Sequence, residues 1–178
     1  QPQVQIQSYG QLVESVSTTA ITNSFAYDGL NRRIAVTDGR GNTSTTAYNA
    51  FGQVAYTEDA ATNRTSYVYD QFGGQIETID ALNQSTCTVY DFRGRVVKQY
   101  GATYPVWYEY DVEGRMTAMA TTRDTTLDPA TVDSLDNPYL DGTRWNYDPA
   151  TGLLVQKLYD DGKGPCYTYI PDGKLSTR

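Results

Sequence analysis

The groups that carry most protein chemistry are scarce in this sequence. It contains no histidine, which excludes imidazole acid-base catalysis, Ser-His and Cys-His nucleophiles and histidine-ligated metals. Carboxylates remain. Glu58-Asp59 and Asp160-Asp161 are adjacent acidic pairs, and paired carboxylates serve glycoside hydrolysis. Neighbours on a strand point to opposite faces, however, and both pairs fall where the periodicity described below predicts turns, so they are expected to be solvated turn residues. Asp124, Asp128, Asp133, Asp136 and Asp141 lie in one acidic segment, but their spacing departs from the alternating ligands closed by glutamate that a calcium loop uses. No metal and no cofactor is expected. Trp107, Tyr139 and Trp145 could stack on sugar faces, although packing between neighbouring strands draws on the same residue types. Trp107 lies three residues before Tyr110 and so on the opposite strand face from it.

Composition narrows the partners. The net charge is −7 and the 14 basic residues are scattered, whereas nucleic-acid affinity needs clustered Lys and Arg, so no nucleic acid is expected. No apolar run approaches the length of a membrane helix, and no membrane insertion by this segment is expected. Cys87 and Cys166 occupy equivalent positions several repeats apart, too distant along a sheet to bridge. They are expected to be free thiols.

The elements that must position these residues repeat. Anchor tyrosines fall at Tyr27, Tyr48, Tyr69, Tyr90, Tyr110, Tyr147 and Tyr169, with spacings of 21, 21, 21, 20, 37 and 22. The following residue is Asp28, Asn49, Asp70, Asp91, Asp111 or Asp148 in six units and Ile170 in the last. Glycine stands four places after the anchor at Gly52, Gly73, Gly94, Gly114 and Gly173; Asn31 replaces it once, and Gly152 comes one place late. Asparagine is the natural substitute for glycine where φ is positive. A basic or amide residue then recurs as Gln53, Arg95, Arg115 and Lys174. An aromatic residue two places before the anchor, as in Phe25, Tyr67, Tyr108, Trp145 and Tyr167, shares a strand face with it. A second turn signal follows about 11 residues on, at Asp38, Asp59 and Asp80.

Each period therefore reads turn, strand, turn, strand. The predicted fold is all-β: tandem antiparallel β-hairpins of about 21 residues forming one continuous twisted or spiral sheet, with the anchor rings stacked as a ladder and each unit supported by its neighbours. The expected organisation is a partial repeat over 1–26, with a faint half-unit at Tyr9-Gly10-Gln11-Leu12; regular repeats over 27–122; a surface insertion over 123–144; and further repeats, truncated, over 145–178. Asp128-Pro129 predicts a short helix over Ala130 to Leu135.

The segments YDVEGRM, YDFRGRV, YNAFGQV and WNYDPATGLL closely resemble the tyrosine-aspartate (YD) repeats of Rhs (rearrangement hotspot) proteins, which also occur in the B and C components of insecticidal toxin complexes and in teneurins. The resemblance runs from about Tyr27 to the C-terminus. It implies a secreted or cell-surface, bacterial protein whose repeats wind into a hollow β-shell around a C-terminal toxin. Seven repeats would form only part of such a wall. The implied role is a structural module, not an enzyme, whose partners are neighbouring repeats and an enclosed toxin. The alternative is a teneurin-like adhesion or glycan-binding module contacting a surface glycan or protein. Bacterial shells of this kind often end in a self-cleaving segment with a DPxGL-type motif. Asp148-Pro149-Ala150-Thr151-Gly152-Leu153 is similar to it but carries one residue too many, and the sequence after it lacks the tyrosine- and arginine-rich stretch of that segment. A turn containing proline explains Asp148 without chemistry.

Overall fold

In the tyrosine-side turns the chain must reverse within three residues, and Asp-x-x-Gly does this by a type I turn followed by a residue at positive φ. In the computed structural model, which describes residues 22–178, Gly52, Gly73, Gly94 and Gly114 hold φ between 78° and 91°, while Asn31 takes the same role at 59°. The second turn of each period uses the same chemistry. At Asp38 and Asp80 one carboxylate oxygen accepts the backbone N–H groups two and four residues on, with Gly41 and Asn83 at positive φ. Both ends of the hairpins are thus built alike, a regularity that the sequence shows only faintly.

Between these turns run β1 (Ser24–Tyr27), β2 (Arg33–Thr37), β3 (Thr43–Tyr48), β4 (Val54–Glu58), β5 (Arg64–Tyr69), β6 (Gln75–Ile79), β7 (Ser85–Tyr90), β8 (Val96–Gly101), β9 (Val106–Tyr110), β10 (Met116–Thr121), β11 (Asp141–Tyr147) and β12 (Leu154–Tyr159). They form a single 12-stranded sheet in strict chain order, every pair antiparallel. The expected all-β array of hairpins is therefore the observed fold. A last hairpin, β13 (Thr168–Tyr169) and β14 (Leu175–Thr177), joins β12 through an isolated bridge between Gln156 and Cys166. The faint half-unit at Tyr9 lies outside the described residues.

Pairing differs inside and between units. Within a hairpin the ladder runs up to the tyrosine, where the register shifts by a bulge, as between Val68 and Tyr69 and between Val89 and Tyr90. Between hairpins the ladder holds only beside the second turn: β4 and β5 pair from Tyr56↔Ser66 to Glu58↔Arg64 and no further. β6 and β7 likewise pair only from Glu77↔Cys87 to Ile79↔Ser85. Toward the tyrosine edge, successive units splay apart.

The insertion is more than the surface excursion expected of it. Its helix reduces to a single 3-10 turn, Pro129–Thr131, with the Asp128 side chain accepting the Ala130 N–H. The backbone becomes extended at Val132 (φ −83°, ψ 114°), which ends the turn there, and β11 already begins at Asp141. Val132 and Leu140 of the insertion are buried against Trp107 and Ala120, with Leu127 and Leu135 alongside. The segment is pinned by Lys98 Nζ donating to the Ala130 carbonyl at 3.1 Å and Thr122 Oγ1 donating to the Tyr139 carbonyl at 2.8 Å. This cap supplies the hydrophobic cluster of an otherwise half-exposed sheet.

Candidate functional site

The repeated tyrosine-aspartate seam is where chemistry-bearing side chains concentrate. Each anchor hydroxyl from Tyr48 onward reaches back across the gap between units to a carbonyl of the preceding hairpin. Tyr48 donates to Arg33 at 3.1 Å, Tyr69 to Val54 at 2.9 Å, Tyr90 to Gln75 at 3.0 Å, Tyr110 to Val96 at 3.0 Å, Tyr147 to Met116 at 2.9 Å and Tyr169 to Leu154 at 2.7 Å. The acceptor is in each case the residue facing the previous anchor, as Val54 faces Tyr48 and Gln75 faces Tyr69. It lies where the ladder to the next unit is missing, so the tyrosine satisfies a backbone group that would otherwise rely on water.

The aspartates are consumed in the turns. Asp91 Oδ1 accepts the N–H groups of Arg93 and Arg95, both at 2.9 Å, and Oδ2 pairs with the Arg95 guanidinium at 2.7 Å. Asp28 with Arg32 and Asp111 with Arg115 repeat the arrangement, and Asn49 with Gln53 is its uncharged version. At Asp28 the Arg32 N–H, with the guanidinium behind it, lowers the carboxyl pKa. At Asp91 and Asp111 desolvation pushes the pKa up, but the hydrogen bonds from Arg95 and Arg115 outweigh it and the net shift is downward.

Each such arginine also lies over the ring of the next anchor: Arg32 over Tyr48 at 4.4 Å, Arg95 over Tyr110 at 4.5 Å and Arg115 over Tyr147 at 4.6 Å. The expected ladder of stacked rings is corrected by this geometry. Anchors of successive units are two strands apart at the edge where the units splay, more than the roughly 9.6 Å of two ladder spacings and beyond the reach of direct ring stacking. The guanidinium fills the intervening layer. Where the arginine is replaced by Gly74, the Tyr90 ring closes directly over the backbone, within 3.3 Å of where a Cβ would stand.

The remaining candidates do not converge. Asp148 Oδ1 accepts Ala150 N–H, Thr151 N–H and the Thr151 hydroxyl at 2.7–3.1 Å. The extra residue there is absorbed by a wider turn in which Gly152 N–H donates to the Asp148 carbonyl. Gly173 closes the last turn onto the Ile170 carbonyl without any carboxylate. Glu58 pairs with Arg64 at 3.0 Å, Asp59 holds Asn63, and Asp161 accepts the Lys163 N–H. Of the insertion aspartates, Asp124 binds Thr126 and Asp136 binds Arg144. Cys87 and Cys166 are both unbridged.

The three aromatic residues considered for glycan contact are separated. Trp107 is only 3% exposed beneath the insertion, because the apolar residues of that segment fold onto it, so its ring has no free face for a sugar. Trp145 faces its cross-strand partner Lys157, whose ammonium lies 5.6 Å from the ring. Tyr139 is exposed on the insertion. An open cleft of about 290 Å³ beside Trp145 is lined by Asp111, Arg115 and Tyr147, groups already committed to the seam.

Fold and seam together define a tandem β-hairpin repeat array in which polar side chains fasten one unit to the next. No family model matches the chain, and no curated protein matches it. Among solved structures it is similar to a chain of the Photorhabdus luminescens Tc holotoxin pore, at 15% identity and a TM-score of 0.46, over 80% of this chain and 9% of that one. It is also similar to the structure of TcdB2-TccC3-Cdc42, at 15% identity and a TM-score of 0.46, over 88% of this chain and 10% of that one. A third match, TcdB2-TccC3 without its hypervariable C-terminal region, covers the same shares at a TM-score of 0.44 and 15% identity. The chain thus spans about a tenth of the length of these structures' chains.

Proposed function

We propose that this chain is a non-enzymatic structural module, a length of wall in a larger secreted YD-repeat shell of the Rhs type that encloses a toxin. The observation that carries this reading is the fate of the repeat's polar groups. Each anchor hydroxyl from Tyr48 onward is spent on the preceding unit, and the carboxylates of Asp28, Asp91, Asp111 and Asp148 are spent on their own turns. Catalysis needs groups aimed at a common point with bonding capacity left over, whereas a wall needs the opposite. Among the described residues no helix is long and apolar enough to cross a membrane.

The test is electron microscopy of the full-length parent protein, with its intact mass measured in parallel. A hollow closed particle containing this segment in its wall is expected. Extended filaments or separate globular domains would overturn the shell reading. Two fragments cut near Asp148, restored to one by Asp148→Asn, would overturn the non-enzymatic one.

A further inference from the structure

The boundaries between hairpin units are not equally fastened. β2 with β3, β4 with β5 and β6 with β7 each join through three residue pairs beside a turn closed by an aspartate. β8 and β9 meet only at Lys98↔Trp107 and Gln99↔Val106. The cause is local. Gly101, at φ 113°, turns the end of β8 back toward β7, where the Ala102 N–H donates to the Ser85 carbonyl at 2.7 Å. The connection that follows, Ala102-Thr103-Tyr104-Pro105, holds no aspartate to close it.

Side chains replace the missing ladder. At the tyrosine edge, the Arg93 and Arg95 guanidinium groups of one unit donate to the Val112 and Asp111 carbonyls of the next. On the sheet face that carries Trp107, the insertion lies across the boundary. Its Val132 and Leu140 bury Trp107 of β9, and its Ala130 carbonyl accepts from Lys98 Nζ of β8 at 3.1 Å. Lys98 and Trp107 are cross-strand partners, so one segment grips both sides of the short ladder. Burial first, then Cys87 and the charge of Asp128, raises the Tyr100 phenol pKa, so the insertion's turn reaches β8 at a second point. We propose that the β8 and β9 boundary is a joint at which this array opens, and that the insertion is the strap that holds it shut. Where stability is a sum of nearest-neighbour contributions, the boundary with the fewest backbone bonds opens first. The strap is held by one apolar cluster and one charge-assisted hydrogen bond, so lifting it unfolds no strand. With the strap lifted, β1 to β8 and β9 to β12 become separate cooperative blocks, with the Ala102–Pro105 connection as the hinge.

Hydrogen exchange of the full chain, resolved by residue, tests this. Val132→Ser/Leu140→Ser alters no residue of β8 or β9, yet it should speed the amides that bond across the joint among Lys98, Gln99, Val106 and Trp107 by about tenfold or more. Amides joining β4 to β5 and β6 to β7 should keep their rates. Lys98→Met keeps the aliphatic stem and removes the ammonium, and should speed the same joint amides by about two- to fivefold. Unchanged exchange across the joint in the double variant overturns the proposal. So does equal acceleration at β4 with β5 and β6 with β7, which would make the insertion a stabiliser of the whole sheet. Lys98→Met without effect on the joint amides overturns the grip on β8, and with it the strap.

Discussion

Replacing Trp107 with alanine should release the insertion while leaving the rest of the array in place. Trp107 is 3% exposed and packs with Ala120, Val132 and Leu140. Burial of about 200 Å² of ring at about 25 cal/mol per Å² is worth roughly 5 kcal/mol. An opposing effect comes from the indole N–H, which is buried without an acceptor, so its removal returns about 1–2 kcal/mol. The net loss is about 3–4 kcal/mol, in keeping with other large aromatic truncations. Because each unit contacts only its neighbours, the loss stays local. Hydrogen exchange is the assay: the Val132 and Leu140 amides, which donate to Pro129 and Asn137 within the insertion, should exchange at least a hundredfold faster. Amides of β1 to β6 should keep their rates. Trp107→Phe sharpens the test, since it keeps most of the packing and discards the orphaned N–H, and it should lie within about 1 kcal/mol of the unaltered protein. Unchanged exchange in the insertion of Trp107→Ala, or Trp107→Phe as damaging as Trp107→Ala, would refute the reasoning.

Three further outcomes are expected. Tyr69→Phe removes the 2.9 Å bond to the Val54 carbonyl and should cost about 1 kcal/mol, a fall of about 2–4 °C in a melting curve; no fall would mean the seam is decorative. Gly101 holds φ of 113° where an added Cβ would strike the Ser85 carbonyl, so Gly101→Ala should disrupt the β7 and β8 pairing, read as increased proteolysis there. Acid should loosen the turns. The carboxyls of Asp38, Asp59 and Asp148 sit below the ordinary 3.8 chiefly because the Asn42, Asn63 and Thr151 side chains donate to them. A folded pKa below the unfolded one gives stability that is complete above the unfolded pKa and lost as pH falls through the folded value. Dichroism should hold from pH 8 to about 5 and decline below about 4; loss of structure already at pH 6 would contradict the assignment.

Much of this fold is legible in the sequence because its determinants are local. Asp, two free positions and a glycine specify a turn without help from distant residues, so the strand order and the anchor spacing could be read directly. What could not be read was longer in range. Arg95 is recognisable as a recurring basic residue, but its place between Asp91 and Tyr110 depends on two units meeting. Trp107 could be assigned to the face opposite Tyr110, yet nothing near it announces that Val132 and Leu140 return to cover it. Phe51, Phe72 and Phe92 carry no signal of their own in the sequence, because their exposure becomes visible only when the turns line up along one edge.

The uneven pairing of the hairpins has a consequence for shape. Close to the second turns, units are drawn together by backbone bonds; at the other end they are held apart by the length of a tyrosine side chain. Each unit is therefore a wedge, and wedges laid in sequence make an arch rather than a straight course. The bend needs no external former, since every copy carries the same taper. How far such an arch turns is then set by how many copies follow one another.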